Sequence, residues 1–177
     1  MSDTRKEKNN KRPDILWAPW RLEYIVNAHK NDECIFCTLP KGSDDRKNLI
    51  VYRNTRVFVI MNRFPYNNGH LMVVPYKHTS EMTELSDEEK LELFNTLQIS
   101  QQVLKKVMVP QGFNVGANFG TIAGAGIDQH IHFHIVPRWS GDTNYMPILA
   151  GTKVISESLD NTWKKLYKEF NEERRTK

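Results

Sequence analysis

Three histidines, His130, His132 and His134, alternate with Ile131, Phe133 and Ile135 in the run HIHFHIVP (130–137). In a strand, side chains alternate between faces, so the three imidazoles share one face at a spacing of roughly 6.5–7 Å, and the apolar residues share the other. The apolar face reads as core. The histidine face asks for chemistry, because three neighbouring rings pack poorly and repel when protonated. With an ordinary pKa near 6.5 they are mostly neutral at pH 7 and free to act as nucleophiles or ligands. One reading is a phosphate site: the middle ring attacks phosphorus through one nitrogen while a backbone carbonyl holds the other, and the flanking rings donate to phosphate oxygens or the leaving group. A second is metal chelation by two alternating histidines and a ligand from elsewhere. A third is an incidental polar face. The preceding loop TIAGAGIDQ (121–129), with Gly120, Gly124 and Gly126, favours the first, since glycines let backbone N–H groups approach an anion closely. A plain flexible connection would use the same glycines.

A second constellation is Cys34-x-x-Cys37. The pair is redox-active, structural or metal-binding. A thioredoxin-type pair opens a helix after a strand, and the following TLPKGSDD does not read as a helix. Two thiolates need two further ligands for tetrahedral zinc, and His78, in PYKHTSEM, is a candidate. Two cysteines do not make a secreted disulfide framework. His29 and His70 read as surface or packing residues.

The elements that must position these groups follow from pattern. LIVYR (49–53) and RVFVIMN (56–62) are β-branched and aromatic runs split by Asn54-Thr55, which predicts a hairpin. PYNNG (65–69) is a turn and HLMVVP (70–75) a third strand. Ser86 and Glu89 form a capping box ahead of Leu91, Phe94, Leu97, Leu104 and Met108 at helical spacing, so a helix runs to about Val109, before Pro110. FNVGANF (113–119) is strand-like. Leu159, Trp163, Leu166, Tyr167 and Phe170 mark one face of a final helix. Strands with two interspersed main helices and no βαβ alternation predict an α+β fold with a mainly antiparallel sheet.

Size and charge narrow the function. A chain of 177 residues suits one domain with tails, and 39% apolar content is enough for a core. Residues 1–14 read as a disordered basic leader, 15–173 as the domain including the last helix, and 174–177 as a tail. The aromatic run ILWAPWRLEYI (15–25) is too apolar to stay in water and should pack on the domain or a partner chain. The formal charge of +4 divides into +2 on residues 1–14, +3 on 163–177 and −1 between them. The excess therefore sits in terminal segments, and nucleic-acid binding is not expected. No apolar run reaches the length of a membrane span, and the N-terminal residues lack a signal-peptide pattern, so a cytoplasmic location is expected.

The run His130-Ile131-His132-Phe133-His134-Ile135-Val136 resembles the signature of the histidine triad (HIT) family, and the likeness extends from about Cys34 to Trp139. Within that family WAPWRLEYI, N-x-G-x-x-AGAG and HIVPRW followed by SGDTNYMP are similar to the bacterial diadenosine tetraphosphate phosphorylases. The fragile histidine triad hydrolases are further relatives. The resemblance implies a HIT-like fold, a homodimer with a shared sheet and a nucleotide cleft on each subunit. It implies His132 as the nucleophile that carries a nucleotidyl group, His134 as an α-phosphate contact and His130 as the residue that orients the strand. It implies Asn62 as a ribose contact, Asn118 and the backbone from Gly124 through Gly126 to Ile127 as phosphate contacts, and Trp139 as an aromatic near the nucleotide or, equally, an interface or core tryptophan. Some bacterial relatives close a C-x-x-C and histidine site with the first triad histidine, which would add His130 to Cys34, Cys37 and His78 around a structural zinc. With four protein ligands such a metal has no open position for catalysis. Many relatives carry Gln or Ser three or four residues before the first histidine, where this chain has Ile127 and Gly126. The missing side-chain hydrogen bond favours phosphorolysis, with inorganic phosphate as co-substrate, over hydrolysis. An adenylyl-conjugate (phosphoramidate) hydrolase and a non-catalytic nucleotide-binding module are the rival readings.

Overall fold

The computed structural model describes residues 33–142 and 155–175. The leader, the aromatic run at 15–25, His29, most of SGDTNYMP and the last two residues lie outside them. Five strands, β1 (Ile50–Arg53), β2 (Val57–Met61), β3 (Leu71–Pro75), β4 (Gly112–Gly116) and β5 (Phe133–Arg138), form one sheet in the order β1-β2-β3-β5-β4, antiparallel throughout. Among the described residues three α-helices accompany it: a single turn α1 (Ile35–Thr38), the long α2 (Asp87–Met108) and α3 (Leu159–Arg175). The fold is α+β, as the pattern predicts. Among the described residues no helix is long and apolar enough to cross a membrane.

The hairpin of β1 and β2 turns at Asn54, whose N–H donates to the Val57 carbonyl at 2.9 Å. Every residue of β2 and β3 is buried, so the middle of the sheet is covered on both faces. α2 packs on β2, β3 and β5, and α3 packs on β1 and α2. The expected capping box is present: the Ser86 hydroxyl accepts from the Glu89 N–H, and the Glu89 carboxylate accepts from the Ser86 N–H. The buried stripe of α2 is Leu93, Leu97, Ser100 and Leu104, while Leu91 and Phe94 are 64% and 55% exposed. The helix prediction therefore holds, but its apolar residues divide between the core and an outer face. On α3, Trp163, Leu166 and Phe170 are buried as expected, and the Trp163 indole N–H donates to the Ile50 carbonyl at 2.9 Å.

α2 is capped at its C-terminal end by Val109, which adopts a left-handed conformation with φ 49° and is 75% exposed. A β-branched residue pays for that conformation, whereas glycine is its usual occupant after a helix. Val109→Gly is expected to stabilise the protein by about 1 kcal/mol, read as a higher urea midpoint at unchanged slope. A lower midpoint would show that the valine side chain makes contacts worth more than the strain.

Two predicted strands are shorter than their sequence patterns. FNVGANF leaves the ladder at Gly116. The histidine run enters it only at Phe133, so His130, Ile131 and His132 lie before β5 and not within it. The reason is on the neighbouring strand. The register that pairs Val73 with Phe133 would set Ile131 opposite Pro75, which has no N–H to give. The Pro75 carbonyl instead accepts from the His130 ring, and the Ile131 N–H turns to the Thr79 carbonyl at 2.7 Å.

Candidate active site

The chain leaves the sheet at the end of β4 and returns at the start of β5, where Gly116 faces His134. The glycine loop and the histidines are therefore the two ends of one excursion. Phe36 of α1 lies against both His130 and His132, at ring-centroid distances of 5.5 and 4.9 Å, and His132 meets His134 at 4.9 Å. The three rings thus follow one side of the segment. The His132 and His134 rings tilt towards each other, closer than a flat strand would place them.

Each triad ring has a defined proton. The His130 Nε2–H donates to the Pro75 carbonyl at 2.8 Å, so Nδ1 carries the lone pair of the neutral ring. The His132 Nδ1–H donates to the His130 carbonyl at 2.8 Å, which leaves the lone pair on Nε2. The tautomer of His134 is set through His70. The Tyr66 backbone N–H donates to His70 Nδ1 at 3.1 Å, and an amide can only donate, so the His70 proton is on Nε2. That Nε2–H lies 2.9 Å from His134 Nδ1, which accepts it, and His134 then carries its own proton on Nε2. The outcome is a lone pair on His132 next to an N–H donor on His134.

Electrostatics keep these rings neutral. Burial pushes the pKa of His132 below its ordinary value, only partly opposed by its backbone hydrogen bond. Burial likewise lowers His130. Burial, assisted by His132, pushes His134 down to about 4. A ring that stays neutral in the folded state while the unfolded chain takes up a proton costs stability as the pH falls. Stability is therefore expected to be full above pH 6.5 and to decline as the pH drops from 6.5 towards 4. His134→Asn should flatten that decline in thermal melts, and an unchanged slope would contradict the assignment.

The sequence suggests a surface or packing role for His70. It is buried, and it is the partner of His134. Position alone gives a signal: His70 directly precedes β3, two residues before Met72, the pairing partner of His134. The buried Asn67 holds this turn, donating to the Pro137 carbonyl at 3.0 Å and to Asp142 at 2.8 Å. Gly69 closes the turn at φ +74°, where a Cβ would collide with the Met108 sulfur.

The remaining expected site residues fall in three places. Asn62 directly follows β2 beside this turn: its N–H donates to the His70 carbonyl at 3.0 Å, and its side-chain oxygen accepts from the Phe64 N–H at 2.9 Å. In the loop, Gly120 and Gly124 have φ of +80° and +90°, and the Asn118 amide lies 3.7 Å from where a Gly124 Cβ would stand. Gly126 is exposed, and Ile127 packs against the core. Trp139 donates its indole N–H to the carbonyls of Met108 and Val109 at 3.3 and 3.2 Å, at the end of α2.

Cys34, Cys37, His78 and His130 bring four ligand atoms within 4.8 Å of one another. Cys34 Sγ lies 3.3 Å from His130 Nδ1, Cys37 Sγ lies 3.3 Å from His78 Nδ1 and 3.5 Å from His130 Nδ1, and the two Nδ1 atoms are 3.3 Å apart. A tetrahedron with zinc–sulfur and zinc–nitrogen bonds of ordinary length has sulfur–nitrogen and nitrogen–nitrogen edges of about 3.3–3.6 Å. The His130 tautomer suits a ligand as well, since its Nε2–H is fixed on a carbonyl and its lone pair faces the sulfurs. Cys34 is the N-cap of α1 and Cys37 lies inside its single turn, while TLPKGSDD leaves the α-helix at Thr38 and continues only as a 3-10 turn over Leu39–Lys41, in line with its reading as non-helical. Burial and the adjacent Cys34 sulfur push the Cys37 thiol up, which a cation at the centre of the cluster would reverse.

Comparison with known proteins gives the family and the fold. Residues 44–141 match the HIT domain family. The AP-4-A phosphorylase of Mycobacterium tuberculosis (strain ATCC 25618 / H37Rv) is 41% identical over 163 residues, which are 88% of this chain and 83% of the relative. The adenosine 5'-monophosphoramidase of Schizosaccharomyces pombe is 34% identical over 105 residues, 59% of this chain and 74% of the relative. Among solved structures, a zinc-bound histidine triad family protein from Mycobacterium smegmatis has the same fold, with a TM-score of 0.65 at 21% identity, over 82% of this chain and 98% of that one. The chain belongs to the HIT domain family, and the similar relatives that carry an activity in their names are nucleotide-metabolising enzymes.

Proposed function

We propose that the protein is a nucleotidyl-transfer enzyme for dinucleoside polyphosphates, converting diadenosine tetraphosphate and inorganic phosphate to ATP and ADP through an adenylyl group carried on His132. The observation that carries this reading is the His132 ring, neutral, with its Nδ1–H held by the His130 carbonyl and its lone pair on Nε2. Nε2 attacks the α-phosphorus, the bond to the bridging oxygen breaks, and ATP leaves. An oxygen of hydrogen phosphate then attacks the same phosphorus, the nitrogen–phosphorus bond breaks, ADP leaves, and one proton passes to solvent. The His134 Nε2–H stabilises charge on the phosphoryl oxygens during both steps. Asn62 holds a ribose hydroxyl, and Asn118 with the loop backbone at Gly124, Gly126 and Ile127 holds the phosphates. Trp139 acts as a cap on α2. The 41% identity to a protein named as AP-4-A phosphorylase supports the substrate and the acceptor. Incubation with diadenosine tetraphosphate, with and without inorganic phosphate, tests the reading by chromatography of the products. ADP and ATP formed only with phosphate are expected. AMP and ATP formed without phosphate would make the protein a hydrolase, and no turnover of any anhydride or phosphoramidate would make it a binding module.

Two further parts belong to this reading. Cys34, Cys37, His78 and His130 hold a structural zinc, supported by the tetrahedral spacing of their donor atoms. The ion would tie α1 and the end of β3 to the segment that carries His132, and it would take no part in the chemistry. The protein forms a homodimer that continues the sheet across β4. That strand lies at the sheet edge with Val115 exposed, and Leu91 and Phe94 present apolar surface on α2. Residues 15–173 make up the HIT domain.

A further inference from the structure

Tyr66 has no part in the chemistry proposed above, yet it touches the site twice. Its backbone N–H fixes the His70 tautomer. Its ring lies over the same pair, with centroids 4.6 Å from His70 and 5.7 Å from His134. The residue is 47% exposed, so Tyr66 meets the imidazole pair through its ring and solvent over nearly half of its surface.

We propose that Tyr66 is a positioning residue whose ring roofs the His70–His134 pair and keeps it in the single neutral tautomer that presents an N–H to the substrate. The need for a roof follows from the hydrogen bonds. His70 Nδ1 faces an amide donor, so His70 can offer only a proton from Nε2. A protonated His134 would turn its own Nδ1–H against that proton, and two donors would face each other at 2.9 Å. Water at the pair would stabilise the cation and promote this conflict, and an aromatic ring excludes it. Among the described residues, the titratable groups in ring contact with His134 are His132 on its own segment, His70 from the start of β3 and Tyr66 from the turn before it. Met72 of β3 and Gly116 of β4, its pairing partners, carry no charge. Burial is also the leading cause of the low His134 value.

The mechanistic consequence rests on the proposed nucleotidyl transfer, but the physical claim is tested without it. In ¹⁵N-histidine NMR of the whole protein, with the His134 signals assigned from a His134→Asn spectrum, Tyr66→Ala is expected to raise the His134 midpoint by at least one pH unit from about 4. Tyr66→Phe, which keeps the ring, should titrate as the parent does. With diadenosine tetraphosphate and phosphate, the acid limb of kcat in Tyr66→Ala should move up by the same interval while rates at pH 8 fall far less. A His134 midpoint unchanged in Tyr66→Ala, or raised equally in Tyr66→Phe, would overturn the roof. Absence of turnover in the parent would sink the nucleotidyl-transfer reading and leave the titration to decide this one.

Discussion

His132→Asn is expected to bind adenine nucleotides with near-parental affinity and to lose turnover by about a thousandfold or more, equivalent to roughly 4 kcal/mol of transition-state stabilisation. Asparagine is close in size and can keep the hydrogen bond that His132 Nδ1–H makes to the His130 carbonyl. It has no ring nitrogen with a lone pair to attack phosphorus, so nucleophilic catalysis is lost while the pocket remains. The ring is buried against Phe36, and its replacement leaves a small gap but no orphaned charge. Parallel nucleotide titration and steady-state kinetics measure the two effects separately. Turnover within tenfold of the parent would remove His132 from the role of nucleophile.

The double substitution Cys34→Ser, Cys37→Ser has the second large expected effect. The parent protein is expected to contain about one zinc per chain by elemental analysis, and the variant none. Oxygen ligands replace thiolates poorly at a site of this type. Loss of the ion frees His78 and His130 from a common centre and loosens α1, which Cys34 caps. A stability loss of about 3–5 kcal/mol corresponds to a melting temperature lower by roughly 10 °C for a chain of this size. The expected effect on turnover is indirect, because His130 meets the cluster through Nδ1 and holds the His132 proton through its backbone carbonyl. A metal-free parent whose stability is indifferent to chelator would contradict the zinc assignment and leave the His132 chemistry in place.

Much of this architecture is legible in the sequence because the signals are local. The Ser86 and Glu89 capping box needs only four residues, and both of its hydrogen bonds form. The β-branched runs of β1, β2 and β3 and the apolar face of α3 are read from period alone. Alternation in HIHFHIVP gives the side on which the histidines lie, but it cannot show where the ladder stops. That depends on Pro75, a residue 56 positions earlier than Ile131 whose missing N–H matters only once the register is known. His70 is missed for the same reason, since a histidine before a strand becomes a hydrogen-bond partner only when that strand lies beside β5. The α2 stripe shows a different limit: Leu91 and Phe94 fit a helical period, yet both are more than half exposed, and Phe94 meets the core only edge-on at Phe133. Cys34, Cys37 and His78 are suggestive in sequence, and the fold brings their donor atoms together with His130.

Attack on phosphorus by His132 Nε2 would leave a covalent adduct that can be trapped. Protein mixed with diadenosine tetraphosphate in phosphate-free buffer, quenched within one turnover and mapped by peptide mass spectrometry, is expected to carry one adenylyl group on His132. That group should leave as ADP when phosphate is added. Phosphate-dependent formation of ADP and ATP with no adduct on His132 at any time, or with the adduct on another residue, would contradict the account.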